Sequence, residues 1–165
     1  MRLAMPFTEI LDLALQGAPI PPPVGLLTCE GTTVRVDLDL HAIPAPPLAI
    51  RALAALAPIV HVEATFRAFD TGVAEFDLAV RAGAVPVQRL LKHLTGLLNA
   101  GLRSAHLPEG LVVIERGSHG APLAVVDLQA AIATQADGVA LTGFAIADGA
   151  VEVVAAVHGF ALHRR

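Results

Sequence analysis

Strand-length segments in the last third of this chain carry apolar residues on both faces. Val151, Val153, Ala155 and Val157 fall on one side of their segment, and Val154 and Ala156 on the other. Leu123, Val125 and Ala131 likewise oppose Val126, Leu128 and Ile132. An antiparallel sheet with one face in water alternates apolar and polar residues instead. The second face therefore needs a cover: helices, another subunit, or a ligand around which the sheet curls. Alanine adds little volume to such strands, so the space beside them must be filled by something larger. The composition raises the same demand. Of the 165 residues, 55% are hydrophobic and 16% charged, against a usual charged share of about 25%. That balance excludes intrinsic disorder.

Several function classes fall away on composition. The net charge is -4 and no basic patch is visible, which argues against a nucleic-acid partner. Trp and Tyr are absent and there are 6 Phe, too few aromatics for base stacking or a cation cage. Cys29 is the single cysteine, so no intrachain disulfide forms and a reducing compartment is allowed. Glu9 and Asp12 interrupt the apolar run of Met1 to Gly17, which lacks a secretory layout. The apolar stretch from Leu48 to Val60 is short and carries Arg51, so no membrane span is expected. The predicted setting is cytoplasmic, in one domain: residues 1–25 as an N-terminal helix and proline-rich linker, residues 26–165 as a sheet-plus-helix core.

Periodicity places the elements. Phe7, Ile10, Leu11, Ala14 and Leu15 share one face of a helix over 7–16, with Thr8 as a candidate cap and Gly17 at its end. Pro19 to Pro23 form a stiff linker. Val34, Val36, Leu38 and Leu40 alternate with Arg35, Asp37, Asp39 and His41, a strand with one dry and one wet face. Pro47 and Pro58 bracket a short apolar helix over 48–57. Two strands follow, with Val60, Val62, Ala64 and Phe66, then Phe76, Leu78 and Val80, on their dry faces; Asp70-Thr71-Gly72 joins them as a hairpin turn. Val87, Leu90, Leu91, Leu94, Leu97, Leu98 and Leu102 make one stripe of a helix over 87–103. The rest reads as a meander with strands at 111–116, 122–135, 139–147 and 151–158. Asp137-Gly138 and Asp148-Gly149 are its hairpin turns, and Gly143 falls where the apolar phase slips, as a bulge requires.

Catalytic signatures are absent. Asp37, Asp39 and His41 share one strand face, and His61 and Glu63 share another; pairing of those strands would bring oxygen and nitrogen ligands together. The same residues suit an ordinary solvated face, and no compact metal motif supports a metal site. Gly117-Ser118-His119-Gly120 lacks nucleophile-elbow spacing and reads as a loop. His93 stands on its helix without an acid. No catalytic residue, metal or cofactor is assigned.

Residues 85–157 resemble a known family. A leucine-striped helix (Val87 to Leu102) precedes Gly-rich turns and strands reading Leu123-Ala124-Val125-Val126-Asp127-Leu128, Val139-Ala140-Leu141 and Val151-Glu152-Val153. This rhythm is similar to bacterial members of the TULIP superfamily, the tubular lipid-binding proteins. The resemblance implies a curved antiparallel sheet wrapped around a long helix, with lipid held between them. The expected fold is thus α+β: a curved antiparallel β-sheet around one long helix, with one or two short extra helices. The expected function is non-enzymatic binding of lipid or another apolar molecule, lined by Leu90, Leu94, Leu97, Leu98, Phe66, Phe76, Leu128, Ile132 and Phe144. Peripheral membrane contact and a homo-oligomer fit the same apolar excess. The alternatives are an assembly module using its apolar sheet faces and, more distantly, a hot-dog-type acyl-thioester enzyme.

Overall fold

The computed structural model describes residues 1–20, 22–85, 87–104 and 107–162. Nine strands and four α-helices follow one another among the described residues. The chain begins with β1 (Arg2–Pro6), α1 (Phe7–Leu15), β2 (Val24–Glu30) and β3 (Thr33–Asp39), followed by a single 3-10 turn at Leu40–Ala42. Next come α2 (Leu48–Leu56), β4 (Ile59–Asp70), β5 (Val73–Arg81) and α3 (Val87–Ser104). The chain continues through β6 (Val112–Arg116), β7 (Pro122–Asp127), α4 (Leu128–Ala133), β8 (Ala136–Ala147) and β9 (Ala150–Leu162). All strand pairs are antiparallel.

The expected single sheet wrapped around helix 87–103 does not form. There are two sheets, one of order β1-β9-β8 and one of order β2-β3-β4-β5-β7-β6. No one helix serves as an axis: helical residues are spread over four segments, and α3 packs along β5 and β6 at one end of the larger sheet. The cause of the split is local. The expected strand 122–135 stops at Asp127, whose carboxylate accepts the Ala130 N–H at 2.8 Å and caps α4. The chain turns there, and β8 and β9 pair with each other and with the N-terminal strand β1, not with β7.

The smaller differences have equally plain causes. The N-cap of α1 is Pro6, not Thr8; its Phe7 N–H is satisfied by the Gly149 carbonyl at 2.9 Å. Asp137-Gly138 is not a hairpin turn. It lies inside β8, at an irregularity of the β8–β9 register, with Gly138 at φ 75. The Gly143 slip is real: the β8–β9 register shifts between Leu141 and Gly143. That shift keeps Leu141, Phe144 and Ile146 on one face, opposite Ala155, Val153 and Val151.

The two sheets are tied at their turns. The Gly149 N–H donates to the Gly31 carbonyl at 3.0 Å, joining hairpin β8–β9 to hairpin β2–β3. On the other flank the Gln129 N–H donates to Gly72 O in the β4–β5 turn at 3.0 Å. The side chain of Gln129 then donates to Val139 O at 2.9 Å and accepts from the Leu141 N–H at 2.8 Å. One amide thus satisfies two backbone groups on the edge strand β8, as a neighbouring strand would.

Half of the buried apolar residues among those described lie at one end of the larger sheet. Leu40, Ile50, Leu53, Ala54, Ala57, Val60, Val80, Ala82 and Leu94 form one buried cluster there. Leu40 and Val60 are both 1% exposed, and burial of each is worth about 1.5–3 kcal/mol. Ile50, Leu53 and Ala54 are the inward stripe of α2, as its prolines and periodicity require.

Candidate functional site

The larger sheet has one face without a charged side chain. Strand alternation and register put Leu27, Val36, Val62 and Val80 in one row across it, and Cys29, Val34, Ala64 and Leu78 in the next. A third row runs Phe66, Phe76, Ala124, Ile114. The α2–α3 cluster covers the Val60–Val80 end. Phe144 of the small sheet covers the other end. Its ring centroid lies 5.6 Å from Phe66 and 6.1 Å from Phe69, and Phe66 meets Phe76 at 5.8 Å. Between these covers Leu27, Cys29, Val34, Val36, Ala64 and Leu78 are only half-buried. Burial there still suffices to push the Cys29 thiol pKa up.

The nine residues expected to line one groove separate into groups. Phe66, Phe76 and Phe144 meet in the ring cluster. Leu94 is buried in the α2–α3 cluster at the opposite end. Leu98 is half-buried on α3, and Leu128 and Ile132 are half-buried on α4, which packs against β8 and β5. The side chains of Leu90 and Leu97 lie outside the described residues. Sequence reading missed Phe69. The β4–β5 register shifts between Phe66 and Ala68, so Arg67 is the extra residue and Phe66 and Phe69 both reach the apolar face. The three-residue spacing of the two rings in a period-two strand was the available signal.

The opposite face of the same sheet is polar. β3 and β4 do pair, and Asp37 meets His61 Nδ1 at 2.7 Å. Glu63 turns instead to Arg35 and Arg81, each at 3.4 Å, and Arg35 also holds Glu30 at 2.5 Å. Asp39 accepts the His41 N–H at 2.9 Å and caps the 3-10 turn. The five candidate ligands are thus divided among separate partners, and no group of three metal-binding side chains is found among the described residues. Exposed pairs of this kind add little stability. His93 is half-buried on α3. Further along this face, Arg67, Asp77, Gly117, Ser118, His119 and Ala121 line an open cavity of about 270 Å³.

Comparison with known proteins returns no match: no protein-family model, no curated protein and no solved structure is significantly similar to this chain. Among the described residues, no helix is long and apolar enough to cross a membrane.

Proposed function

We propose that the chain binds an apolar ligand of lipid or acyl-chain type along the uncharged face of its larger sheet. The observation that carries this reading is the half-buried strip of Leu27, Cys29, Val34, Val36, Ala64 and Leu78 between the buried α2–α3 cluster and the phenylalanine ring cluster. A chain laying about 300 Å² of apolar surface on that strip gains about 7–8 kcal/mol before association costs. The expected Kd is therefore micromolar to millimolar. No bond-making chemistry is part of the proposal.

The test is titration with a fluorescent fatty acid. Saturable one-to-one enhancement is expected. It should be lost in Ala64→Lys and weakened in Leu78→Ala, and unchanged in Val113→Lys on the polar face. Binding that ignores Ala64 and Leu78 refutes the site.

A second reading, assembly through apolar surface, is favoured by the exposed area. The chain exposes 9943 Å², where a compact monomer of 17.0 kDa exposes about 7,700 Å². The excess is larger than one acyl chain covers and is of the order of a dimer interface. Leu48 (75% exposed), Leu56 (76%) and Ile59 (45%) are prominent in it. Sedimentation velocity separates the readings: a monomer at micromolar concentration removes this one and leaves the ligand proposal standing.

A further inference from the structure

We propose that the cavity between the β4–β5 ladder and the β6–β7 loop binds a phosphate group that retains a proton. It lies on the polar face and is independent of the apolar strip.

Arg67 is the residue that the bulge in β4 leaves without a cross-strand partner. Bulges re-aim side chains in this way, commonly beside functional sites. The guanidinium reaches Asp77 only at 3.6 Å, beyond hydrogen-bond length and the longest separation among the described arginine–carboxylate pairs. Its fork of donors is therefore largely uncommitted. The facing wall is the loop Gly117–Ala121. It is closed by the Gly117 N–H to Ala121 O bond at 2.7 Å and the Gly120 N–H to Gly117 O bond at 3.0 Å. Ser118 and His119 both line the cavity and make no hydrogen bond to any described residue, so a hydroxyl and an imidazole beside it have no protein partner there.

This set of groups selects its ligand. Arg67, Ser118 and His119 offer donors to oxyanion oxygens. Asp77 offers only acceptors and repels an anion that has no proton to give it. Hydrogen phosphate meets both demands, because its P–OH donates to the Asp77 carboxylate while its remaining oxygens accept. Sulfate has the same shape and no proton at neutral pH. A site built around a ligand hydroxyl rejects the analogue that lacks it. At about 270 Å³ and open to solvent, the cavity holds a phosphate and leaves room for a small substituent.

The experiment is an NMR titration of the full chain in phosphate-free buffer at fixed ionic strength. It follows the Ser118 and His119 amides and the His119 ring protons. Inorganic phosphate should shift them saturably, and sulfate should bind at least about tenfold more weakly. Glycerol phosphate distinguishes sources: with a second pKa of about 6 it keeps almost no P–OH at pH 8, so it should bind at least about tenfold more weakly than the free ion, and equally tight binding would overturn the role of the ligand proton. Arg67→Met should lose about tenfold or more in phosphate affinity. Asp77→Asn should abolish the preference over sulfate. Both residues are exposed, and the rest of the amide spectrum reports whether each variant is folded. Absence of a saturable shift up to about 50 mM phosphate, equal binding of sulfate by the unaltered protein, or an unaffected Arg67→Met variant would each overturn the proposal.

Discussion

Replacing Gln129 by Met keeps the side-chain volume and removes both of its polar atoms. The consequence follows from two hydrogen bonds. Val139 O loses its donor at 2.9 Å and the Leu141 N–H loses its acceptor at 2.8 Å. Both lie on the edge of the small sheet, partly buried, with Leu141 itself 8% exposed. Each bond contributes about 1 kcal/mol net, so the expected loss is about 2 kcal/mol. For a domain of this size that lowers Tm by about 4–8 °C. The effect is also local. The Leu141 amide should exchange about thirtyfold faster with solvent, since 1.4 kcal/mol is about a factor of ten. Urea denaturation and residue-resolved hydrogen exchange measure the two quantities. Gln135→Ala is the control, because its side chain makes only an exposed 3.4 Å contact to Thr134. A Gln129→Met variant within about 0.5 kcal/mol of the unaltered protein, with Leu141 still protected, would refute the claim that this amide clips the two sheets together.

Other substitutions test the fold at single points. A Cβ at position 138 would lie 2.0 Å from the His158 carbonyl oxygen at φ +75, so Gly138→Ala should cost more than about 2 kcal/mol by chemical denaturation. Gly96→Ala meets nothing within 4 Å inside α3 and should stabilise by about 0.5–1 kcal/mol in the same assay. Leu40→Ala at a site 1% exposed should cost about 2–5 kcal/mol. Burial raises the Cys29 thiol pKa above its unfolded value. The stability this thiol contributes is therefore present below the unfolded pKa and lost as pH rises through the folded one. Alkylation of Cys29 should accordingly be slower in the native protein than in urea.

The local patterns were legible in the sequence and the distant pairings were not. Pro47 and Pro58 delimit α2, and the inward stripe Ile50, Leu53 and Ala54 follows from its period. Asp70-Thr71-Gly72 does turn the chain between β4 and β5, with Thr71 and Gly72 both at positive φ. The pairing of Asp37 with His61 follows from two alternating strands placed side by side. Leu128 and Ile132 misled, because apolar residues after a strand extend it by pattern alone, whereas Asp127 caps a helix there. β1 carries little alternation of its own and exists because Arg2 to Pro6 pair with β9, almost the whole chain away. That pairing adds the third strand to the small sheet. Of the candidate site, the uncharged sheet face was readable from alternation, but which parts stay half-open depends on where α3 and Phe144 settle.

Native mass spectrometry of the protein as purified, with chemical identification of the organic extract, tests the ligand claim most directly. The account predicts a one-to-one adduct of acyl-chain type that is absent from a folded Ala64→Lys variant. A bare protein that also takes up no fatty acid on titration, or an adduct retained when position 64 is charged, would contradict it.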